Sequence, residues 1–167
     1  MINNSYRDIS WAMKQAIDEA ENAAKDGEVP VGACIIDPDG KIFTSAANKK
    51  EGPCNPTGHA EILAITQACQ KLGDWRLNGY TLVVTLEPCV MCMGAIWQSR
   101  ISHVVFGAYD PKGGALSLGY NIHADKRLNH QFTVMGGVDH YNCSQIMSRF
   151  FKDKRKSYKY KKNAFSN

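Results

Sequence analysis

The segment TLVVTLEPCVMCMGAI, residues 81–96, decides the fold. Its first six residues are apolar or β-branched, the pattern of a strand buried within a sheet. Pro88 then favours the first position of a helix, because proline needs no hydrogen-bond partner for its nitrogen there. The segment therefore predicts a buried strand that passes directly into a helix, with Cys89 and Cys92 at the junction.

Strand and helix patterns alternate on both sides of this segment. Four other runs have the composition of strands, namely VPVGACII (29–36), KIFTSAAN (41–48), HVVFGA (103–108) and FTVMGG (132–137). The turn signal DPDG joins the first two as a hairpin. Helical spacing of apolar residues recurs over 9–24, 59–73 and 139–160, and residues 108–130 form a polar loop with short helical pieces. This order predicts an α/β protein with a five-stranded mixed sheet packed between helices.

Length and composition favour a single cytoplasmic domain over residues 1–167. With 44% hydrophobic and 22% charged residues, a chain of 167 residues has room for one sizeable core but not for two independent ones. The first twenty residues carry five charged side chains, which is too polar for a signal peptide, and no run approaches the roughly 20 apolar residues of a membrane span. Of the six cysteines only Cys89 and Cys92 have motif spacing, which indicates metal binding or catalysis rather than disulfides.

Positive charge is concentrated in the helix expected over about residues 140–162. Residues 149–162 hold eight basic residues and one acidic residue, a net of +7, so that the rest of the chain carries −3 out of a total of +4. Aromatic residues alternate with these charges at four positions, Phe150, Phe151, Tyr158 and Tyr160. Such a helix can contact the phosphates and stack the bases of a nucleic acid. The alternative is a solvated terminus whose aromatic side chains pack against the core.

Three side chains at the starts of two predicted helices have the identities of zinc ligands. His59 begins one helix, and Cys89 and Cys92 begin the next. Cysteines three residues apart at a helix start project from nearly the same face, and the helix N-terminus favours their anionic form. A structural zinc site generally has four protein ligands, whereas three leave the fourth position to water, as in catalytic sites.

Glu61 indicates that this metal site catalyses a hydrolysis. It follows His59 by two residues, in the first turn, where its carboxylate would reach a bound water from the side. Zinc lowers the pKa of a bound water from 15.7 to about 7. The carboxylate can accept the proton that the water loses and deliver it to a leaving nitrogen, which suits hydrolytic deamination.

Together with Pro88, these four residues match the pattern H-x-E…P-C-x-x-C of zinc nucleobase deaminases. Two alternatives stay open at this point, a purely structural zinc site and a redox Cys-x-x-Cys dithiol. Glu61 favours catalysis, because a structural site has no use for an additional carboxylate beside its ligands.

Four further segments favour one branch of these deaminases. They are GEVPVGA (27–33), NPTGHAEI (55–62), RISHVVFGAYDPKGGA (100–115) and FFKDKR (150–155). Over about residues 10–155 the sequence resembles the bacterial tRNA-specific adenosine deaminases of the TadA type, within the cytidine/deoxycytidylate deaminase superfamily. The resemblance implies the cytidine-deaminase-like fold, a three-layer α/β/α sandwich around a five-stranded mixed sheet. It also implies one zinc ion per chain and a homodimer in which both subunits contact RNA.

The reaction that the resemblance implies is hydrolysis of adenosine to inosine, with release of ammonia, at the wobble position of an arginine tRNA anticodon. An anticodon loop suits this chemistry because its bases are already unpaired, and a base must leave its stack to reach a buried metal. One alternative is a deaminase of a free base or nucleotide, of the guanine or cytosine type. Another is a non-catalytic, zinc-stabilised RNA-binding subunit.

The resemblance also implies roles for individual residues. His59, Cys89 and Cys92 would be the zinc ligands, and Glu61 the proton shuttle. Contacts with tRNA are implied for eight residues in four segments: Asn48 at the end of the second strand, Asp110 and Lys112 after the fourth, Asn129 and His130 in another anticodon-contacting stretch, and Phe150, Phe151 and Arg155 in the terminal helix. The sequence departs from the family at Asn55, where Asp is usual, at Gly58, where Ala is usual, and over GGALSLGY (113–120).

Overall fold

The computed structural model describes residues 9–164, with side chains as far as Lys156. The helices and strands follow one another as α1 (Ser10–Lys25), β1 (Gly32–Ile36), β2 (Ile42–Ala47), α2 (Ala60–Leu72), β3 (Thr81–Leu86), α3 (Val90–Gln98), β4 (His103–Ala108), β5 (Thr133–Gly136) and α4 (His140–Ala164). A 3-10 helix, Ile122–Ala124, lies in the polar loop between β4 and β5. The five strands, the four helices and the short helical piece predicted from the sequence are all confirmed.

The five strands form one mixed sheet in the order β2-β1-β3-β4-β5. β1 runs antiparallel to both of its neighbours, whereas β3, β4 and β5 are parallel. Pairing of β3 with β4 extends from Thr81 opposite His103 to Leu86 opposite Ala108. The carboxyl ends of β2, β3 and β4 therefore lie at the same edge of the sheet, which is called the carboxyl edge below.

Alternate residues of the central strands face different pairs of helices. Leu82, Val84 and Phe106 belong to the core cluster that includes α2 and α3. Val83 and Val105 belong to the cluster that includes α1 and α4. These five side chains are at most 1% exposed, and burying each one fully contributes roughly 1.5–3 kcal/mol to folding. The three-layer α/β/α arrangement is thus confirmed, with a separate apolar core on each face of the sheet.

Two glycines allow the helices of one layer to lie directly on the sheet. A Cβ atom at Gly32 would come within 2.0 Å of the carbonyl oxygen of Ala16 in α1. A Cβ atom at Gly107 would come within 2.3 Å of Sγ of Cys143 in α4. Larger residues at either position would push these helices off β1 and β4.

The terminal helix α4 has a packed first part and an exposed second part. Cys143 and Ile146 are buried against the sheet, whereas residues 151–156 are all exposed. This exposed part still contacts the body of the protein, because Nζ of Lys154 donates to the carbonyl oxygen of Gly27 over 3.1 Å. None of the described helices is long and apolar enough to cross a membrane.

Candidate active site

His59, Cys89 and Cys92 converge at the carboxyl edge, where α2 and α3 begin. His59 is the N-cap residue of α2 and Cys89 the N-cap residue of α3. Neither side chain caps its helix through a hydrogen bond, so the imidazole and the thiol are available to a metal. One detail differs from the sequence prediction: α3 begins at Val90, so Pro88 precedes the helix instead of occupying its first position.

The three ligand atoms have the separations that a tetrahedral zinc ion imposes. Sγ of Cys89 lies 3.6 Å from Sγ of Cys92, and Nδ1 of His59 lies 3.7 Å and 3.5 Å from these two sulfur atoms. Zn–S bonds of about 2.3 Å and Zn–N bonds of about 2.0–2.1 Å give tetrahedral separations of about 3.8 Å between sulfurs and about 3.6 Å between nitrogen and sulfur. Within the described part of the chain, no fourth His, Cys or carboxylate joins this group.

The two thiols differ in their affinity for protons. Hydrogen bonds from Cys92 and His59 lower the pKa of Cys89 to about 4, although burial acts in the opposite direction. The bond to Cys89, together with burial, raises the pKa of Cys92. Hydrogen bonding to Cys89 also raises the pKa of His59. Cys89 is therefore the thiol that ionises first, and metal binding releases the protons that the ligand group still holds.

Glu61 stands beside the ligands in the first turn of α2 and is only 4% exposed. Burial raises the pKa of its carboxyl, while the charge of His59 and a hydrogen bond with Cys92 act in the opposite direction. It does not belong to the three-atom ligand group. A buried carboxyl of raised pKa next to a metal site is suited to general acid–base catalysis.

Asn48 directly follows β2, at the carboxyl edge, and is 6% exposed. Its backbone amide donates to the carbonyl oxygen of Val31, and its Nδ2 atom lies 3.5 Å from Oε2 of Glu28. The structure therefore brings Asn48 to the same edge of the sheet as the metal-ligand group, held from two sides.

Glu28 is a buried residue that the sequence analysis did not single out. Its carboxylate, 4% exposed, accepts hydrogen bonds of 2.8–2.9 Å from three consecutive backbone amides, those of residues 50, 51 and 52. Burial raises the pKa of Glu28, but these amides outweigh it and the pKa is lowered. Glu28 thus holds the beginning of the loop that leads from Asn48 to His59. Its one sequence signal is a charged residue immediately before the buried run VPVGACII.

Asp110 and Lys112 lie in the loop after β4, again at the carboxyl edge. The backbone amide of Lys112 donates to Oδ1 of Asp110 over 3.1 Å, and Lys112 is exposed. The same loop pairs with the metal-ligand segment through an isolated bridge between Gly114 and Cys89. The loop is therefore fixed next to the metal-ligand segment.

Asn129 and His130 are not brought to the metal centre of this chain. Arg100 donates from Nη1 to Oδ1 of Asn129 over 2.8 Å, and Nε2 of His130 donates to the carbonyl oxygen of Ile101 over 2.7 Å. Arg100 and Ile101 precede β4. The length of that strand, about 17 Å at 3.3 Å per residue, separates them from the carboxyl edge.

The two phenylalanines of α4 have different environments. Phe150 is partly buried and lies beneath Lys154, whose Nζ atom is 5.1 Å from the centre of the ring. Phe151 is 41% exposed, and Arg155 is also exposed. One phenylalanine therefore packs and the other faces outward. Tyr158, Tyr160 and the lysines beyond residue 156 lie outside the described side chains.

A family match covers the segment that carries this site. Residues 6–108 match the family described as the cytidine and deoxycytidylate deaminase zinc-binding region. The chain belongs to the cytidine and deoxycytidylate deaminase family. The match includes the three-residue ligand group, and the geometry of that group fits zinc, so zinc is the cofactor of this deaminase, with one ion per chain.

Relatives of this deaminase confirm the narrower resemblance seen in the sequence. A tRNA-specific adenosine deaminase of Bacillus subtilis is 48% identical over 147 residues, which cover 88% of this chain and 91% of the relative. A tRNA-specific adenosine deaminase of Haemophilus influenzae is 41% identical over 150 residues, covering 90% of this chain and 87% of the relative.

Solved structures of deaminases have the same fold. One, from a study of A-to-I editing by tRNA:A34 deaminases at the wobble position of transfer RNA, superposes with a TM-score of 0.78 at 38% identity, covering 82% of this chain and 99% of that one. A guanine deaminase from Bacillus subtilis superposes with a TM-score of 0.60 at 33% identity, covering 68% of this chain and 71% of that one. The cytidine-deaminase-like fold expected from the sequence is confirmed.

Proposed function

We propose that this deaminase hydrolyses adenosine to inosine at the wobble position of a tRNA anticodon, and that arginine tRNA is its substrate. The chemistry rests on one observation, a buried Glu61 carboxyl beside a three-ligand zinc site. The choice of tRNA rests on relatives named tRNA-specific adenosine deaminase, two of which align over 88% and 95% of this chain. These two relatives are 48% and 40% identical to it, against 33% for the guanine deaminase of Bacillus subtilis.

In the proposed reaction, His59, Cys89 and Cys92 hold zinc through Nδ1 and the two Sγ atoms. Zinc, when bound, supplies a water whose pKa is about 7, so that hydroxide is available at neutral pH. Glu61 would accept one proton of the water while the water oxygen forms a bond to C6 of adenine, and would pass this proton to the exocyclic nitrogen as the bond between C6 and that nitrogen breaks; the other proton of the water ends on N1. Adenosine and water are converted to inosine and ammonia. A carboxyl of raised pKa suits this role, because it must hold the proton between two transfers.

The base and its neighbours would be bound by residues at the carboxyl edge. The buried amide of Asn48 offers a donor and an acceptor to the edge of a purine. Asp110 and Lys112 would contact the flanking nucleotides, since their loop is fixed beside the metal-ligand segment. Phe151 and Arg155, both exposed, would contact the RNA from α4, with Phe150 supporting them from the packed side of the helix.

We also propose that the deaminase is a homodimer joined through α3. Val90, Met91 and Gly94 lie on the side of α3 away from the core, and Val90 is 41% exposed. A Cβ atom at Gly94 would meet nothing within 4 Å, so a second helix can approach closely there. Asn129 and His130, distant from the metal centre of their own subunit, would reach the RNA bound to the other subunit.

The dimer is tested by light scattering coupled to size exclusion. Wild type should have twice the chain mass, and Gly94→Arg should have the mass of one chain with its helix content unchanged. A wild-type monomer at micromolar concentration contradicts the dimer.

We further infer that residues 1–167 form one deaminase domain and that the protein, like its proposed substrate, is located in the cytoplasm.

Substrate class is tested by parallel assays of the zinc-loaded protein. The substrates are a transcribed arginine tRNA with adenosine at the wobble position, the same tRNA with guanosine there, and free adenosine, guanine and cytidine. We expect inosine only in the first. Turnover of a free base without inosine in tRNA supports the guanine or cytosine alternative. RNA binding without any turnover supports a non-catalytic subunit.

The basic helix is tested by truncation after Phe151. Removal of residues 152–167 takes away the exposed basic residues of α4 that follow Phe151, but leaves Arg149, the buried part of the helix and the metal ligands. The truncated protein should keep one zinc ion, bind tRNA more weakly, and show a flatter dependence of affinity on salt, because fewer phosphate charges are neutralised. An unchanged dependence of affinity on salt means that the basic residues after Phe151 make no contact with the phosphates of the tRNA.

A further inference from the structure

We propose that Glu87 is a positioning residue that fixes the loop of residues 110–117 against the metal-ligand segment and so prepares this loop for tRNA. Glu87 lies two residues before Cys89 but contributes no atom to the ligand group. The inference deepens the proposed function, on which its tRNA part rests.

Both carboxylate oxygens of Glu87 are occupied by this loop. Oε2 accepts hydrogen bonds from the Asp110 amide, over 2.9 Å, and from the Ser117 hydroxyl, over 2.5 Å. Oε1 accepts a bond of 2.7 Å from the Ser117 amide. The side chain is only 3% exposed. A buried carboxylate needs such donors, and here they come from the two ends of one loop.

The backbone around Glu87 connects the same two segments. The Glu87 amide donates to the carbonyl oxygen of Ala108, and the Ala115 amide donates to that of Pro88. Gly114 lies directly against the carboxylate of Glu87, because a Cβ atom at this position would come within 2.2 Å of Cδ of Glu87. The glycine at this position is therefore required by the carboxylate beneath it.

These contacts link the metal-ligand segment to a proposed RNA-binding side chain. Glu87 binds the amide of Asp110, and the carboxylate of Asp110 in turn binds the amide of Lys112. A loop that is ordered before the substrate arrives does not lose conformational entropy when the substrate binds. Glu87 contributes no atom to the metal-ligand group, so its effect should fall on the binding of tRNA and not on the chemical step.

The test uses the zinc-loaded Glu87→Gln protein. Gln has the same size, but its NH₂ group faces amide donors and cannot accept their hydrogen bonds. We expect KM for the tRNA to rise about tenfold, with kcat within about twofold and one zinc ion retained. Amide hydrogen exchange at Asp110 and Ser117 should become at least about tenfold faster.

Two other variants bracket this result. Ser117→Ala removes the hydroxyl donor of an exposed residue but keeps the hydrogen bond from its backbone amide to Glu87. The variant should therefore fold normally and raise KM by less than Glu87→Gln does. Asp39→Asn makes the same change of charge in the exposed β1–β2 turn, at the opposite edge of the sheet, and should change nothing.

Two outcomes overturn the proposal. Unchanged exchange at Asp110 and Ser117 in Glu87→Gln shows that Glu87 does not hold the loop. A parallel loss of zinc and kcat, with KM unchanged, shows that it supports the metal site instead. If wild type does not deaminate tRNA, the tRNA part fails with the proposed function, whereas the exchange measurement still decides whether Glu87 holds the loop.

Discussion

Replacing Glu61 by Gln separates proton transfer from metal binding. Gln has the size of Glu but cannot accept a proton at neutral pH, and general acid–base catalysis contributes about 10²–10⁴-fold, or roughly 3–5 kcal/mol of activation free energy. Both proton transfers in the proposed reaction use Glu61, so its replacement affects both of them. We therefore expect a decrease in kcat near the upper end of that range.

The same variant should keep its metal and its fold. Glu61 is 4% exposed and is not a ligand, so a neutral side chain of equal size leaves the three ligand atoms in place. The assay is single-turnover deamination of tRNA with enzyme in excess, with inosine counted after nuclease digestion and zinc measured by atomic absorption. Asp18→Asn, an exposed change in α1, is the control. A decrease below about tenfold with full zinc content refutes the proton-shuttle role, and so does a loss of activity that only follows loss of zinc.

Three other predictions concern the loops and thiols of the site. Gly58→Ala should lower the free energy of unfolding by about 1–3 kcal/mol, because its Cβ atom would come within 2.2 Å of the Lys49 carbonyl oxygen; an unchanged urea midpoint contradicts this contact. The lowered pKa of Glu28 stabilises the fold above the unfolded-state value of about 4.5, and this contribution is lost as the pH falls through the lower folded-state value. The melting temperatures of wild type and Glu28→Gln should therefore differ at pH 7 and converge in acid, and a constant difference would exclude the carboxylate as its cause. In the zinc-free protein Cys89, with a pKa of about 4, should react with iodoacetamide at pH 6. If the rate of this reaction instead rises with a midpoint near the ordinary thiol pKa of about 8.5, the hydrogen bonds from Cys92 and His59 do not lower the pKa of Cys89.

The secondary structure could be predicted because its signals are local. The alternation of strand and helix between residues 59 and 108 follows from apolar runs and helical spacing within each segment. The path of the loop between β4 and β5 could not be predicted in this way. It is fixed by contacts between residues far apart in the chain, such as Glu87 with Ser117 and Arg100 with Asn129, 30 and 29 positions apart.

The residues of the candidate site also divide into those that local sequence signals predict and those that they do not. His59, Cys89 and Cys92 could be found from their spacing, because ligand chemistry restricts both residue type and distance along a helix start. The two buried carboxylates Glu28 and Glu87 could not, since most of their partners are backbone amides that carry no residue signature. The resemblance to a family implied tRNA contacts for Asp110 and Asn129 alike, but only the fold shows that the loop of Asp110 lies beside the metal-ligand segment and that Asn129 lies towards the opposite edge of the sheet.

Coordination by His59 and Cys89 has a consequence for the unfolded chain. These residues are 30 positions apart and begin different helices. An ion bound to both closes a loop of that length, as a disulfide would, and in the chain-entropy treatment such a closure is worth about 3.6 kcal/mol at 25 °C. Unlike a disulfide, this crosslink can be withdrawn by any competing zinc binder. When zinc is scarce, the protein thus becomes easier to unfold and to degrade, so zinc supply would control the amount of this protein as well as its activity.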